Sequence, residues 1–376
     1  MTRPLLQFYQ SILATVALLA WPSFAFGQVE VDPEPRVLER IGVASNGADF
    51  IKASSGERFV AWGVNYDHDR NGRLLEDYWI DEWETVVEDF AEMKALGANV
   101  VRVHLQLGRF MRGPDEPNTE ALAQLRRLVE LAERTGIYLD LTGLGCYHKD
   151  ETPAWYTDLG ESGRWRVQAR FWESVAAVGA ESPAIFCYDL MNEPILPGAD
   201  KVESDWLAGA FGGKYFVQRI ALDLDGRSRE EVARAWVDQL VDAIRRHDDD
   251  ALITVGVIPW AHTFPGAEPL FYSPLVGERL DFVSVHFYPK RGEVDQALEA
   301  LSVYDLGKPI VVEEMFPLHC SVEELLQFVA SSRPVADGWI SFYWGETTNE
   351  LESKAAATIG DLMLLNWLRA FSEFTP

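Results

Sequence analysis

The chain has 376 residues, with 59 acidic against 33 basic side chains and a formal net charge of −26. That excess of anions excludes nucleic acid as a partner, because binding a phosphate backbone needs a Lys/Arg surplus, and it argues equally against an anionic membrane surface. Apolar residues at 48% and aromatic residues at 12% exclude a disordered chain, and the length suits either two ordinary domains or one large α/β barrel.

Residues 1–27 read as a secretory signal. Arg3 is their sole charge, Ile12 to Trp21 form an apolar centre, and Ser23, Ala25 and Gly27 offer small residues for cleavage. The apolar centre is too short for a good membrane span. The expected location is therefore secreted or periplasmic, with no membrane association after signal cleavage. A lipoprotein anchor is excluded, since the first cysteine is Cys146. Cys146, Cys187 and Cys320 show neither a CxxC nor zinc-ligand spacing. Their odd number leaves at least one thiol free in an exported protein, and any pairing stays open.

Residues 28–40, rich in Pro and Glu, read as an extended lead-in. Asn46-Gly47 and Ser55-Gly56 are turn signals that predict a β-hairpin over 41–58, placed to plug the bottom of a barrel. From residue 59, short apolar runs alternate with longer amphipathic ones. The runs predict strands at 59–64, 99–104, 138–142, 185–191, 252–257, 282–287, 310–314 and 338–343. Helices are predicted at 82–96, 119–135, 164–180, 229–247, 293–304, 321–332 and 356–371. In the first of these, Trp83, Val86, Val87, Phe90, Met93 and Leu96 share a face and Gly97 stops the helix. The link between the fifth and sixth strands, with Pro265, Pro269 and Pro274, has no clear pattern.

Strand–helix alternation implies a parallel sheet, and eight repeats imply a (β/α)8 TIM barrel. The predicted fold is that barrel with an N-terminal β-hairpin and a long insertion at 194–227, after strand 4. Residues 41–376 form a single domain in this reading. The rival, a doubly wound open sheet, lacks a Gly-rich phosphate loop after the first strand.

Barrel active sites lie at the C-terminal ends of the strands. Asn65-Tyr66-Asp67-His68 end the first strand, and Arg102 and His104 lie on the second. Tyr147-His148 follow the third, and Asn192-Glu193-Pro194 end the fourth. Trp260 and His262 follow the fifth, His286 and Tyr288 the sixth, Glu313-Glu314 end the seventh, and Trp344 ends the eighth. Two carboxylates ringed by Trp, Tyr, His, Asn and Arg suit glycoside hydrolysis. The aromatic faces stack on pyranose rings. No cluster has metal-ligand spacing, so neither a metal nor a cofactor is expected, and the expected partner is a carbohydrate substrate of a monomeric protein.

Gly63-Val64-Asn65-Tyr66, Asn99-Val100-Val101-Arg102, Leu190-Met191-Asn192-Glu193-Pro194, His286-Phe287-Tyr288 and Lys308-Pro309-Ile310-Val311-Val312-Glu313-Glu314, followed by Trp344, occur in one order over roughly residues 59–345. This set resembles glycoside hydrolase family 5, a family of (β/α)8 retaining glycosidases. The resemblance implies Glu193 as acid/base and Glu314 as nucleophile. It implies Asn192 on the substrate 2-hydroxyl, Arg102 and Tyr288 holding the nucleophile, His286 near the acid/base, and Trp344 under the sugar. Asn65 and His148 complete the expected substrate-binding set.

Three features depart from the family pattern. Met315-Phe316 follow Glu314, which leaves Glu313 as a competitor, with Glu314 preferred for its offset from Lys308-Pro309. Thr142 stands where the family often has His, and Tyr147 and His148 are the nearest replacements. The third departure is the insertion itself. The implied function is hydrolysis of β-linked glucan or mannan polysaccharide or oligosaccharide by double displacement. The alternatives are an exo-acting enzyme on short or decorated glycans, with the insertion closing one end of the cleft, and an inactive carbohydrate-binding barrel.

Overall fold

The computed structural model describes residues 38–197, 205–342 and 345–375. The signal-like segment 1–27, most of the lead-in, part of the insertion, and Trp344 lie outside the described residues.

Eight strand positions are found. They are β1 (Ala61–Tyr66), β2 (Val100–Gln106), β3 (Tyr138–Gly145), β4 (Ile185–Asp189), β5 (Leu252–Thr254 and Gly256–Val257), β6 (Val283–His286), β7 (Ile310–Met315) and β8 (Gly338–Ser341). Each pairs in parallel with its neighbours, and β8 pairs with β1. The ring closes through β5 in two pieces. Its first half pairs with β4 and its second half with β6. Closure excludes the open-sheet rival. At the break, the Tyr272 hydroxyl donates to the Val255 carbonyl (2.6 Å) and accepts from the Ser284 amide (2.8 Å).

Among the described residues, seven long helices surround the sheet: α1 (Trp83–Ala95), α2 (Thr119–Thr135), α3 (Glu161–Gly179), α4 (Arg229–Arg245), α5 (Val294–Ser302), α6 (Val322–Ser332) and α7 (Ile359–Glu373). Their starts follow from local chemistry. Ser228 with Glu231, Ser321 with Glu324 and Thr358 with Asp361 form reciprocal caps at α4, α6 and α7, satisfying amides that the first turn leaves orphaned. Along α4, Val232, Trp236, Val237, Leu240, Val241 and Ile244 are buried, the stripe a helix presents to a sheet. Between β5 and β6 the prolines are accommodated by short turns at Trp260–Thr263, Leu270–Tyr272 and Gly277–Arg279.

The predicted hairpin is a three-strand meander, Ile41–Val43, Phe50–Lys52 and Arg58–Phe59. Its Phe50 meets Phe186 and Phe282 edge-on, with ring centroids 5.3 and 5.2 Å apart. Together with Ile41 and Phe59 it packs against Ala61, Val100, Tyr138, Leu252, Val311 and Ile340. These residues lie at the strand starts, so the meander fills the bottom of the barrel and leaves polar groups to the top. All three cysteines are free thiols.

Candidate active site

The top of the barrel is organised by one guanidinium. Arg102 on β2 is fully buried. Its Nη1 donates to Glu314 Oε1 (2.6 Å) and Asn65 Oδ1 (3.0 Å), and its Nη2 donates to Asp189 Oδ2 (2.8 Å) and Asn192 Oδ1 (2.9 Å). Nη2 also lies 3.3 Å from Glu313 Oε2. A planar fork with five donors suits such convergence. Asn65 is buried and its amide is spent inside the protein, with Nδ2 donating to the Glu313 and Ser341 carbonyls. Its expected part in binding substrate is thereby corrected. It braces Arg102 and ties β1 to β7 and β8.

Glu314 is the penultimate residue of β7, and Tyr288 donates its hydroxyl to Glu314 Oε2 at 2.7 Å. Burial raises the Glu314 carboxyl above its usual range, and Glu193 adds to this. His286, Arg102 and Tyr288 pull the other way. Glu193 has φ +47°, a left-handed conformation uncommon outside glycine, and its amide donates to the Gly256 carbonyl (2.9 Å). Strained backbone of this kind concentrates at functional sites. One carboxylate oxygen of Glu193, one of Glu314 and one ring nitrogen of His286 lie within 4.8 Å of one another.

Glu313 and Glu314 are adjacent, yet both reach the barrel interior, because the ladder between β7 and β8 slips between Val312 and Met315. Such a bulge re-aims a side chain that strict alternation would send outward. Only one of the two faces the cavity. Glu314 lines it with Asn192, Glu193, Phe211, Phe216, Tyr288 and Phe342, in a volume of about 250 Å³. Glu313 is sealed beneath, with Oε2 3.4 Å from His286 Nε2. There is room for this contact because residue 256 on β5 is glycine: a Cβ there would stand 2.5 Å from Glu313 Oε2 and 2.8 Å from His286 Nε2.

His286 Nδ1 is 2.9 Å from Glu193 Oε1 and 3.5 Å from Glu314 Oε2. Burial alone would lower its pKa. Glu314, Glu193 and Glu313 overcome that and raise it to about 10, so at neutral pH His286 is an imidazolium that donates from both nitrogens. A pKa raised on folding stabilises the folded state fully below the usual value of 6.5, and this stabilisation is lost as pH rises through about 10. Urea midpoints of the wild type are therefore expected to fall between pH 7 and pH 10. His286→Gln should be less stable at pH 7 and show a flatter profile over that interval.

His104 is the opposite case. Burial, then Arg102, push its pKa well down. The neutral ring accepts from the Tyr147 hydroxyl at Nδ1 (2.6 Å) and donates from Nε2 to Asn65 Oδ1 (2.9 Å). Tyr147 is thus part of the assembly. His148 lines a neighbouring cavity of about 270 Å³ with Leu74, Gln106, Arg109 and Glu151, not the one holding Glu193 and Glu314. Thr142 donates to Asp189 Oδ2 (2.9 Å). Asp189 also accepts from the Gly256 amide, and burial, then Glu313, raise its pKa to about 6 against Arg102. Asp189 and Asp140 are the acids that sequence reasoning missed. Their signal was the two-residue alternation with Thr142 on β3 and with Cys187 on β4, which marks them as inward-facing.

The insertion supplies one wall of the cavity through Gly209, Phe211, Phe216 and Val217. Phe216 packs edge-on against Tyr147 at 4.8 Å, and its carbonyl accepts from Asn192 Nδ2 (3.0 Å). Trp206 is core, buried under Arg164 and against Tyr156. Trp260 is 43% exposed, stacks with Phe264 at 6.0 Å, and lines a cavity of about 650 Å³ that begins at Pro194 and Ile195.

The cellulase model, glycosyl hydrolase family 5, matches residues 55–316, more than half of the chain. The mannan endo-1,4-beta-mannosidase A of Podospora anserina is 26% identical over 255 residues, covering 60% of this chain and 60% of that relative's length. Among solved structures, the exo-beta-1,4-mannosidase Op5Man5 from Opitutaceae bacterium strain TAV5 aligns with TM-score 0.64 and 16% identity, over 88% of this chain and 61% of that one. The Thermobifida fusca endoglucanase Cel5A catalytic domain aligns with TM-score 0.58 and 14% identity, over 89% and 97%. The structural likenesses are likenesses of fold. The family match, with its motifs at the tips of the predicted strands, is more specific: the chain belongs to glycosyl hydrolase family 5, the cellulase family.

Proposed function

We propose that this chain is an exported retaining β-glycosidase that hydrolyses β-1,4-linked mannan. The observation that carries the reading is that one carboxylate oxygen of Glu193 and one of Glu314 lie within 4.8 Å of each other in one cavity. Retaining pairs stand about 5–5.5 Å apart, whereas inverting pairs leave about 6.5–9.5 Å for a water.

Glu314, with Oε1 held by Arg102 and Oε2 by Tyr288, attacks the anomeric carbon. Glu193 gives its proton to the leaving glycosidic oxygen. Its Oε1 accepts from His286 Nδ1, which leaves Oε2 to carry that proton. The bond to the leaving group breaks as the glycosyl ester forms, and the negative charge on Glu314 disappears. Glu193, now a carboxylate, takes a proton from water. The resulting attack on the anomeric carbon cleaves the ester and returns the original configuration. The family resemblance, and no described geometry, implies Trp344 as the platform for the reacting sugar.

Mannan is favoured over glucan because the relative matched by sequence is a mannan endo-1,4-beta-mannosidase. The cavity lined by Pro194 and Ile195 starts at the residue after the acid/base, and we assign it to the leaving-group chain. The Trp260–Phe264 pair offers an apolar face there to a sugar ring of that chain. Trp260→Ala is expected to raise KM on polymer by about three- to tenfold. Its kcat/KM on an aryl β-mannoside, whose leaving group is too short to reach that face, should stay within about twofold.

A second reading, exo action on short chains, is favoured by the wall that Phe211 and Phe216 raise beside the pair. Incubation with mannan, glucan, xylan and aryl β-glycosides, followed by product analysis, tests both readings. Mixed oligosaccharides from mannan support the first, and single sugars alone support the second. Binding without any release supports an inactive barrel.

A further inference from the structure

Below the candidate pair the barrel interior holds a second pair of carboxyls, Asp140 on β3 and Glu313 on β7. Both are completely buried. Neither oxygen of Asp140 finds a conventional donor, nor does Glu313 Oε1. An oxygen of each, together with Cys187 Sγ on β4, lies within a 4.8 Å group. Two ionised carboxylates in contact in a dry interior repel strongly, and each orphaned acceptor adds a desolvation cost. One retained proton removes the conflict. An Asp140 O–H satisfies Glu313 Oε1, and the second Asp140 oxygen becomes a carbonyl oxygen for the weak Cys187 S–H donor.

The groups that face this pair are Arg102 from β2, Cys187 and Asp189 from β4, His286 from β6, and Tyr272 from the link after β5. Only Arg102 and His286 are cations, and both contact Glu313 through Oε2, at 3.3 and 3.4 Å. Gly256 leaves the space in which they meet.

We propose that Asp140 stays protonated at neutral pH and donates its O–H to Glu313, so that Asp140, Glu313, His286 and Glu193 form one hydrogen-bonded chain from the barrel interior to the acid/base. Asp140 and Glu313 are positioning residues. The first orients the second, and the second keeps His286 charged and aimed at Glu193. The electrostatics agree. Burial, then Glu313, raise Asp140 well above its usual range, while Arg102 and His286, acting against burial, hold Glu313 down to about 2. A buried carboxylic acid kept neutral so that it can donate is a known device for fixing a neighbouring group.

The first test needs no turnover. Infrared spectra of the full chain at pH 7, with and without [13C]aspartate, should show a protonated-carboxyl C=O band that shifts on labelling and is missing from Asp140→Asn. Absence of any aspartate-derived band, as for an ionised Asp140 or one held by a cation, overturns the proposal.

The second test compares charge changes. Asp140→Asn exchanges one neutral donor for another. Its pH profile should keep the alkaline limb of the wild type. Glu313→Gln removes an anion beside His286 and should shift the alkaline limb to lower pH by about one unit or more. If Asp140→Asn moves that limb as Glu313→Gln does, Asp140 was charged and the proposal fails. The kinetic arm rests on the proposed activity. Were the wild type inactive on every glycan, the same shift would be read from the NMR titration of His286, so the two failures remain distinct.

Discussion

Glu314→Ala is expected to lose about four orders of magnitude or more in turnover with the fold intact, because it removes the atom that bonds to the sugar. The residual chemistry identifies the role. Removing the carboxylate leaves space on the face of the sugar opposite the leaving group, and added azide can enter it. The product would be a glycosyl azide of inverted configuration. Glu193→Ala behaves differently. Aryl glycosides with acidic phenols leave without protonation, so the ester still forms. Azide then attacks from the water side and gives a product of retained configuration. The two azides are separable by NMR. Inverted azide from Glu193→Ala, or rescue of Glu313→Ala in place of Glu314→Ala, would overturn the assignment of roles.

The largest stability effect is expected at Arg102. Its guanidinium neutralises Glu313, Glu314 and Asp189, all buried, and anchors Asn65 and Asn192. Taking one partner from a buried ion pair costs about 3–5 kcal/mol, because the remaining charge has lost both water and its counterion. Arg102→Met keeps most of the volume and none of the charge. Its urea midpoint should fall by that order with an unchanged slope. The deficit should shrink at low pH, where the stranded carboxyls take up protons. Arg102→Lys should recover part of the stability and little of the turnover, since a point charge cannot fork to four acceptors. A loss below about 1 kcal/mol at neutral pH would show that the acids protonate in place and that the guanidinium serves geometry alone.

What was legible in the sequence was whatever local patterning controls. The strand positions were readable because a buried parallel strand is a short apolar run between amphipathic helices. Glu193 and Glu314 stood out because strand tips are where the chain turns polar, whereas Arg102, inside β2, stood out through the Asn99-Val100-Val101-Arg102 motif. Asp140 and Asp189 were hidden for the converse reason: an acid inside an apolar run reads as an exception to the strand, not as a member of a buried network. Asn65 and His148 show the limit of reading position without side-chain direction. Both lie near strand tips, yet one is consumed by Arg102 and the other lines a separate cavity. The pairing slip that turns Glu313 and Glu314 the same way is a property of two strands together, and one strand's sequence does not encode it.

The break in β5 carries its own consequence. Elsewhere in the ring, backbone ladders bridge neighbouring strands, but at Val255 the hydrogen bonding toward β6 passes through the hydroxyl of Tyr272, a residue of the following link. The two pieces of β5 are joined covalently through Val255, and the phenol satisfies the polar groups that the one-residue break leaves without a ladder partner. That bridge needs the proline-rich link folded back against β5, and Asp281 supports it with its amide donating to the Ile253 carbonyl. The glycine that leaves room for Glu313 and His286 directly follows this break. The charged cluster therefore sits beside the one-residue interruption of β5, where a side-chain hydroxyl stands in for a backbone ladder bond.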